Sequence, residues 1–340
     1  MFGRRKTKQT GEAVAEFWRW WADARHRVAA AISDGTVGSL AGEISGRVAA
    51  IHKDLQWELS EGKQAQHALV VAAAGNAALR ATVARWRAAA PAGDAVFEYF
   101  GSRQPCDGMF TSRIQIADQQ VELDALRFAF TVDEDAHELD VAVFHPRFPD
   151  LPESARQQLT FLALDWALGE ELVELWIGQV DCGQFEPYGL RTFSELRVAV
   201  NDLATKHADP LYVMLGAENR KGVPMMAMVQ VPLKSSRWPR FDTHIAIIAR
   251  YPAQHNGLPT DESLADLRDL EDQVEAVLPP DGEAVAHETS QGVRTIHVYT
   301  DGTTPTRDAV SAVVASFRPL KAKVAITYDP GFEHVRHLRS

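Results

Sequence analysis

The stretch LPTDESLADLRDLEDQVEAVL, residues 258–278, decides the fold. Leu264, Leu267, Leu270, Val274 and Val277 recur every three or four residues, so one face of a helix carries them all. Thr260 is a good N-cap, and Asp261 and Glu262 suit the positive end of the helix dipole. Pro279-Pro280 stops the helix, since proline has no N–H to donate.

Working outward, the alternation before the helix predicts a strand over Thr243–Arg250. After it, strands over Glu283–Glu288 and Val293–Tyr299 meet at the turn Ser290-Gln291-Gly292. A helix follows over Thr306–Phe317, with Val310, Val313, Val314 and Phe317 inward, and then a strand over Lys323–Tyr328. The order βαββαβ is that of the ferredoxin-like split βαβ unit. Upstream lie a helix over Phe193–His207 and a hairpin, Leu211–Leu215 with Val223–Val231. They extend this C-terminal domain, placed at residues 191–340.

The N-terminal half repeats the order ββαβ. A helix over Glu12–Ile32 carries the stripe Val14, Phe17, Trp18, Trp21, Val28 and Ile32, with Trp20 off it. A second helix, Val37–Ile51, presents Gly38, Gly42 and Gly46 on one side, which predicts close helix packing there. Strands at Leu55–Leu59 and His67–Ala72, a helix at Asn76–Ala90 and a strand at Val96–Phe100 follow. The set then recurs as Leu126–Val132, Leu139–Phe144, a helix at Glu153–Leu168 and a strand at Leu172–Val180. The turn at Pro187-Tyr188-Gly189 reads as the domain boundary. The expected fold class is α+β, with two two-layer α/β sandwich domains at residues 11–190 and 191–340. Residues 1–10, with Arg4, Arg5, Lys6 and Lys8, read as a disordered basic tail.

The C-terminal part resembles a bacterial family known as the domain of unknown function numbered 695. GVPMMAMVQV, YPAQHNGLPTDESLADLRDLEDQVEAVL, GVRTIHVYTDG and TYDPGFEHVR carry the likeness. Proteins with that domain also carry a module similar to the ribonuclease E activity regulator B family, which acts by binding a protein; no separate segment here is assigned to it. The N-terminal half, with HKDLQWELSEG and LDWALGEE, resembles uncharacterised bacterial proteins. The resemblance implies no catalytic residues.

Composition narrows the function classes. The net charge is −11 over 340 residues. Residues 131–182 hold twelve Asp or Glu against two Arg, a local net of −10. Phosphate binding needs the opposite balance, so nucleic acid is not the expected partner. The acidic stretch reads first as a solvated face that keeps the protein soluble, with a surface for a basic protein partner as the alternative. Neither a signal peptide nor a membrane span is expected, because the apolar run after the basic start is interrupted by Glu16, Arg19, Asp23 and Arg25. The two cysteines, Cys106 and Cys182, read as reduced, buried thiols of a cytoplasmic protein, with a disulfide between them as the alternative. Neither phosphate-loop pattern occurs, nor do G-x-S-x-G or H-E-x-x-H, and no cofactor or metal is expected.

Two functional expectations follow. The first is a cytosolic, non-catalytic protein-interaction or regulatory module. Its candidate binding surface is the sheet face away from the helix at 264–278, where strand alternation places His244, Arg250, His297 and Tyr299. RNA-recognition domains of similar topology carry stacking aromatics on that face. The Leu211–Val231 hairpin or the N-terminal domain is the expected cover if the face is closed. The second is a hydrolase or transferase with its site in an inter-domain cleft, using Asp165 or Cys182. Asp165 stands out because a carboxylate among Leu162, Leu164, Trp166 and Leu168 must be paired or carry a raised pKa.

Overall fold

Thr260 does cap the helix that organises the C-terminal region: its Oγ1 accepts from the Ser263 N–H at 3.2 Å, and the helix runs Asp261–Glu275. The computed structural model describes residues 2–218 and 222–339, with side chains from Thr10 onward. The tip of the 211–231 hairpin, residues 219–221, lies outside them.

In chain order the first elements are α1 (Phe2–Ser33), α2 (Ala41–Ile51), β1 (Gln56–Glu61), β2 (His67–Ala72), α3 (Ala77–Ala88) and β3 (Phe97–Phe100). There follow β4 (Arg113–Ile116), β5 (Gln119–Glu122), β6 (Arg127–Asp133), β7 (Glu138–Phe144), α4 (Glu153–Leu168), α5 (Glu170–Trp176), β8 (Ile177–Asp181) and α6 (Phe193–Lys206). The last are β9 (Leu211–Glu218), β10 (Pro224–Val231), β11 (Thr243–Arg250), α7 (Asp261–Glu275), β12 (Gly282–Ser290), β13 (Val293–Thr300), α8 (Thr306–Ser316) and β14 (Lys321–Tyr328). The molecule is a mixed α+β protein. Among the described residues, no helix is long and apolar enough to cross a membrane.

Two compact units interleave in sequence. One is Met1–Lys53, Asn76–Pro91 and Pro210–Ser340; the other is Asp54–Gly75 and Ala92–Asp209. This differs from two consecutive domains meeting at residue 190. The reason is packing. Leu196, Val200 and Leu203 of α6 are buried in the core built from β6, β7 and α4, not in the C-terminal one. Conversely α3, though it follows β2 directly, puts Trp86 against Phe17 and Trp18 of α1, with the Trp18 and Trp86 rings stacked at 4.7 Å.

The first unit centres on a six-stranded sheet of order β14-β11-β13-β12-β10-β9, antiparallel at every step. Ile245, Ile247, Ala249, Ile296 and Val298 meet Leu267, Leu270 and Val274 of α7 and Val310 and Val314 of α8. The opposite face holds a second core. There Val229, Val285 and Tyr299 lie under Phe332, Val335 and Leu338, the last two within the 3-10 turn Glu333–Leu338. In this unit α1 begins at Phe2, so the basic positions read as a tail continue the helix. Trp20 docks on α2, donating to Glu43 at 2.8 Å. The glycine stripe of α2 is not a packing face. Nothing lies within 4 Å of where a Cβ would stand on Gly38, Gly42 or Gly46, and Ile44, Val48 and Ile51 are buried instead.

The second unit holds the sheets β1-β2-β3, β4-β5 and β6-β7-β8. The β4-β5 hairpin was not read from the sequence. The strand expected over Leu172–Val180 is in fact helix α5 followed by the shorter β8. Gly169 joins α4 to α5 at φ +81°, with its Cβ position 2.9 Å from the Arg103 carbonyl.

Candidate functional site

Strand pairing brings three of the four open-face residues together. His244 and Tyr299 are direct cross-strand partners, with rings 4.9 Å apart, and His297 is next along β13 on the same face. Arg250 is separate: it pairs with Val293 and Lys321 at the other end of β11, six residues or about 20 Å away, and is exposed. The three are buried, Tyr299 completely. Their cover is neither the hairpin nor the N-terminal region but the C-terminal segment, where Phe332 stacks on Tyr299 at 3.6 Å and His334 on His244 at 4.7 Å.

Beneath that cover runs a chain of polar groups. His297 Nε2 lies 2.9 Å from Glu288 Oε1, and His337 Nε2 lies 3.0 Å from Glu288 Oε2. A carboxylate only accepts, so Nε2–H of His297 donates to Glu288. On its other side, His297 Nδ1 shares a hydrogen bond with His244 Nε2, 3.0 Å away. Burial, reinforced by the neighbouring His297 and His334, pushes His244 down to about 3, so it stays neutral. The His297 hydrogen bond, aided by His337 and opposed by burial, holds Glu288 at about 2. Glu288 is therefore a fixed negative charge. Alongside, the Tyr299 hydroxyl donates to Asp329 at 2.7 Å, and Asp329 also accepts from the backbone N–H groups of Glu333 and His334. Burial and the Asp329 carboxylate push the Tyr299 hydroxyl up, so it remains a donor. These bonds fasten the C-terminal turn to the sheet. Glu288, His334 and His337 were not singled out as site residues, since only the fold sets them over His297 and His244.

In the second unit, Asp165 is only 20% exposed and sits 3.4 Å from Arg103, whose guanidinium also reaches Glu58 at 3.6 Å and Gln56 at 2.5 Å. Glu170 accepts from the backbone N–H groups of Gly75 and Arg103. Burial raises Asp165 to about 6; Arg103 opposes this, while Glu170 and Glu58 add to it. Cys182 lies at the end of β8, half-buried against the core. Burial pushes its thiol up, so no thiolate is favoured. Both cysteines are free, and Cys106 is exposed, not buried. Among the described residues, no group of three or more His, Cys, Asp or Glu is arranged to hold a metal ion.

One surface of this unit stands apart. In the loop between β8 and α6, Phe185 is 88% exposed and Tyr188 fully so. Exposed Asp181 and Glu186 flank them. Aromatic side chains are enriched among the residues that protein interfaces bury.

No curated protein and no solved structure matches the chain. Residues 224–334, from β10 into the C-terminal turn, are similar to a family of unknown function (DUF695).

Proposed function

We propose that this chain is a non-catalytic protein-interaction or regulatory module of the cytoplasm, and that its C-terminal sheet is ferredoxin-like. The exposure of Phe185 and Tyr188 carries this reading. Aromatic anchors on a loop, held by a packed core, are what a protein partner buries at the centre of an interface. Asp133, Glu134, Asp135, Asp181 and Glu186 are exposed in the same unit, which favours a partner with a basic surface. The free thiols fit a reducing compartment.

The candidate surface at His244, Arg250, His297 and Tyr299 fits this role less well, because three of its members are under the C-terminal turn. The second reading, a hydrolase or transferase using Asp165 or Cys182, has one observation in its favour. Asp165, held at about 6, is poised to exchange a proton near neutrality. Its ion pair with Arg103 and the raised thiol of Cys182 support a structural role for both.

The test compares the immobilised chain with a Phe185→Ser/Tyr188→Ser double variant in native-host extract. A partner retained by the first and lost from the second, with both equally stable, supports the proposal. Equal capture by both, or turnover of a metabolite by the purified chain, overturns it.

A further inference from the structure

A cavity of about 380 Å³ opens on the face of the first unit's sheet that carries Glu288. It lies between the β9-β10 hairpin and the C-terminal turn, and its size is in the range of small-molecule sites. Leu215, Met225, Ala227, Val293 and Leu338 make its walls apolar. Strand register explains the wall: Leu215 pairs with Ala227, and Ala227 pairs with Glu288, so all three point to one side. Met225 is an unbranched side chain that adapts to the body of a ligand.

Two polar groups in the lining matter most, Glu288 and His337. The described lining contains no Lys or Arg, so the Glu288 carboxylate is its one permanent charge. His297 holds that carboxylate from behind, with His244 beyond it. In front, among the described residues, Glu288 is met by His337, whose side chain is 57% exposed and sits on the terminal turn. The Glu288 side chain is 25% exposed on this side, and His337 is the partner that a ligand is able to displace.

We infer that this cavity binds a small organic amine, its ammonium group taking the place of His337 on Glu288 and its apolar body lying against Met225, Leu215 and Leu338. The charge selects cations over carboxylates, and the walls select an alkyl or aryl body over a bare ammonium ion. This site is independent of the protein-binding reading, which concerns the other unit.

The experiment titrates the full chain with n-hexylamine, 1-hexanol and hexanoate, followed by calorimetry and by the NMR signals of the Met225 and Met226 methyl groups. Hexylamine is expected to bind most tightly and hexanoate least. Glu288→Gln should weaken hexylamine by about tenfold or more and leave hexanol unchanged. Met225→Trp, at the partly exposed rim, should weaken both the amine and the alcohol by filling the cavity. His337→Ala should tighten hexylamine, because the competing donor is gone. The inference falls if hexanoate binds as well as hexylamine, or if Glu288→Gln binds the amine like the parent. It falls too if Met225→Trp leaves amine binding intact, which would mark diffuse attraction to an acidic protein. Should Glu288→Gln prove unfolded, the Met225→Trp and hexanoate results decide alone.

Discussion

Arg85 and Asp301, 216 residues apart in sequence, meet with 2.6 Å between Nη2 and Oδ1. The same nitrogen lies 2.8 Å from Oδ2 of Asp242. Both carboxylates are almost fully buried, and one guanidinium from α3 bridges them at the ends of β11 and β13. Arg85→Met removes the cation they share and leaves Asp301 with Arg240, 4.0 Å away. The expected cost is about 3 kcal/mol of unfolding free energy. Urea denaturation checks it, and adding Asp301→Asn to Arg85→Met should recover part of the loss. No recovery would mean that the loss is one of packing and not of charge.

That contact also shows what could not be read in advance. The C-terminal sheet was legible because each element carries a clean period: alternation over Thr243–Arg250, and a 3.6 repeat from Leu264 to Val277. Both patterns are local, as sequence signals must be. The interleaving of the units is not local, since Trp86 and Arg85 choose partners 68 and 157 or more residues away. The β4-β5 hairpin was missed because RIQI and QQVE are short and their turn, Ala117-Asp118, reaches positive φ without glycine. Helix α5 was missed because the apolar run Leu172–Trp176 fits either period. As for the site, alternation alone put His244, His297 and Tyr299 on one face. It said nothing of their cover, because a 3-10 turn of six residues shows no period. The partnership of Glu288 depends on its pairing with Thr295, which sets it diagonally beside His297.

Asp165 gives a pH dependence of defined sign. Its folded-state pKa is about 6, above the ordinary value of 3.8, so the folded chain binds more protons than the unfolded chain between those values. Stability therefore falls as pH rises from about 4 through 6, and the cost is fully present above that window. Its size is on the order of 3 kcal/mol. Asp165→Asn removes the charge, so its stability relative to the parent should increase between pH 4.5 and pH 7.5. Denaturation at the two pH values measures this. A difference that is flat or of opposite slope would mean that the Arg103 ion pair outweighs burial.

Gly169 joins two helices at φ +81°, where L side chains are strained. A Cβ there would also stand 2.9 Å from the Arg103 carbonyl oxygen and 2.9 Å from Pro105 Cδ. Gly169→Ala should cost about 2 kcal/mol, from strain and displacement of the 103–105 backbone together. Because Arg103 holds Asp165, the same substitution should move the Asp165 titration. A loss of stability with the Asp165 titration unmoved would locate the effect in the helix junction alone.

Phe332 fixes the C-terminal cover. It is fully buried, stacks on Tyr299 at 3.6 Å and faces Trp238 at 5.8 Å. Its backbone lies at φ +58°, a turn that starts the 3-10 segment and directs the Glu333 and His334 N–H groups onto Asp329. Phe332→Ala removes a large core side chain and should cost about 3 kcal/mol. The informative readout is His244, which is pushed down to about 3 chiefly by burial under this cover. If the cover loosens, water reaches the imidazole and its pKa climbs toward the ordinary histidine value of 6.5. A lowered histidine destabilises the fold as pH falls below its unfolded-state pKa, because the unfolded chain takes up the proton that the folded chain refuses. That acid penalty should shrink in Phe332→Ala, so the stability gap between variant and parent narrows from pH 7 to pH 5. NMR titration of the His244 ring protons reads the shift directly. If His244 still titrates near 3 in the folded variant, its desolvation comes from the sheet and His297 rather than from the terminal turn, and the cover is only a lid on an already buried pair.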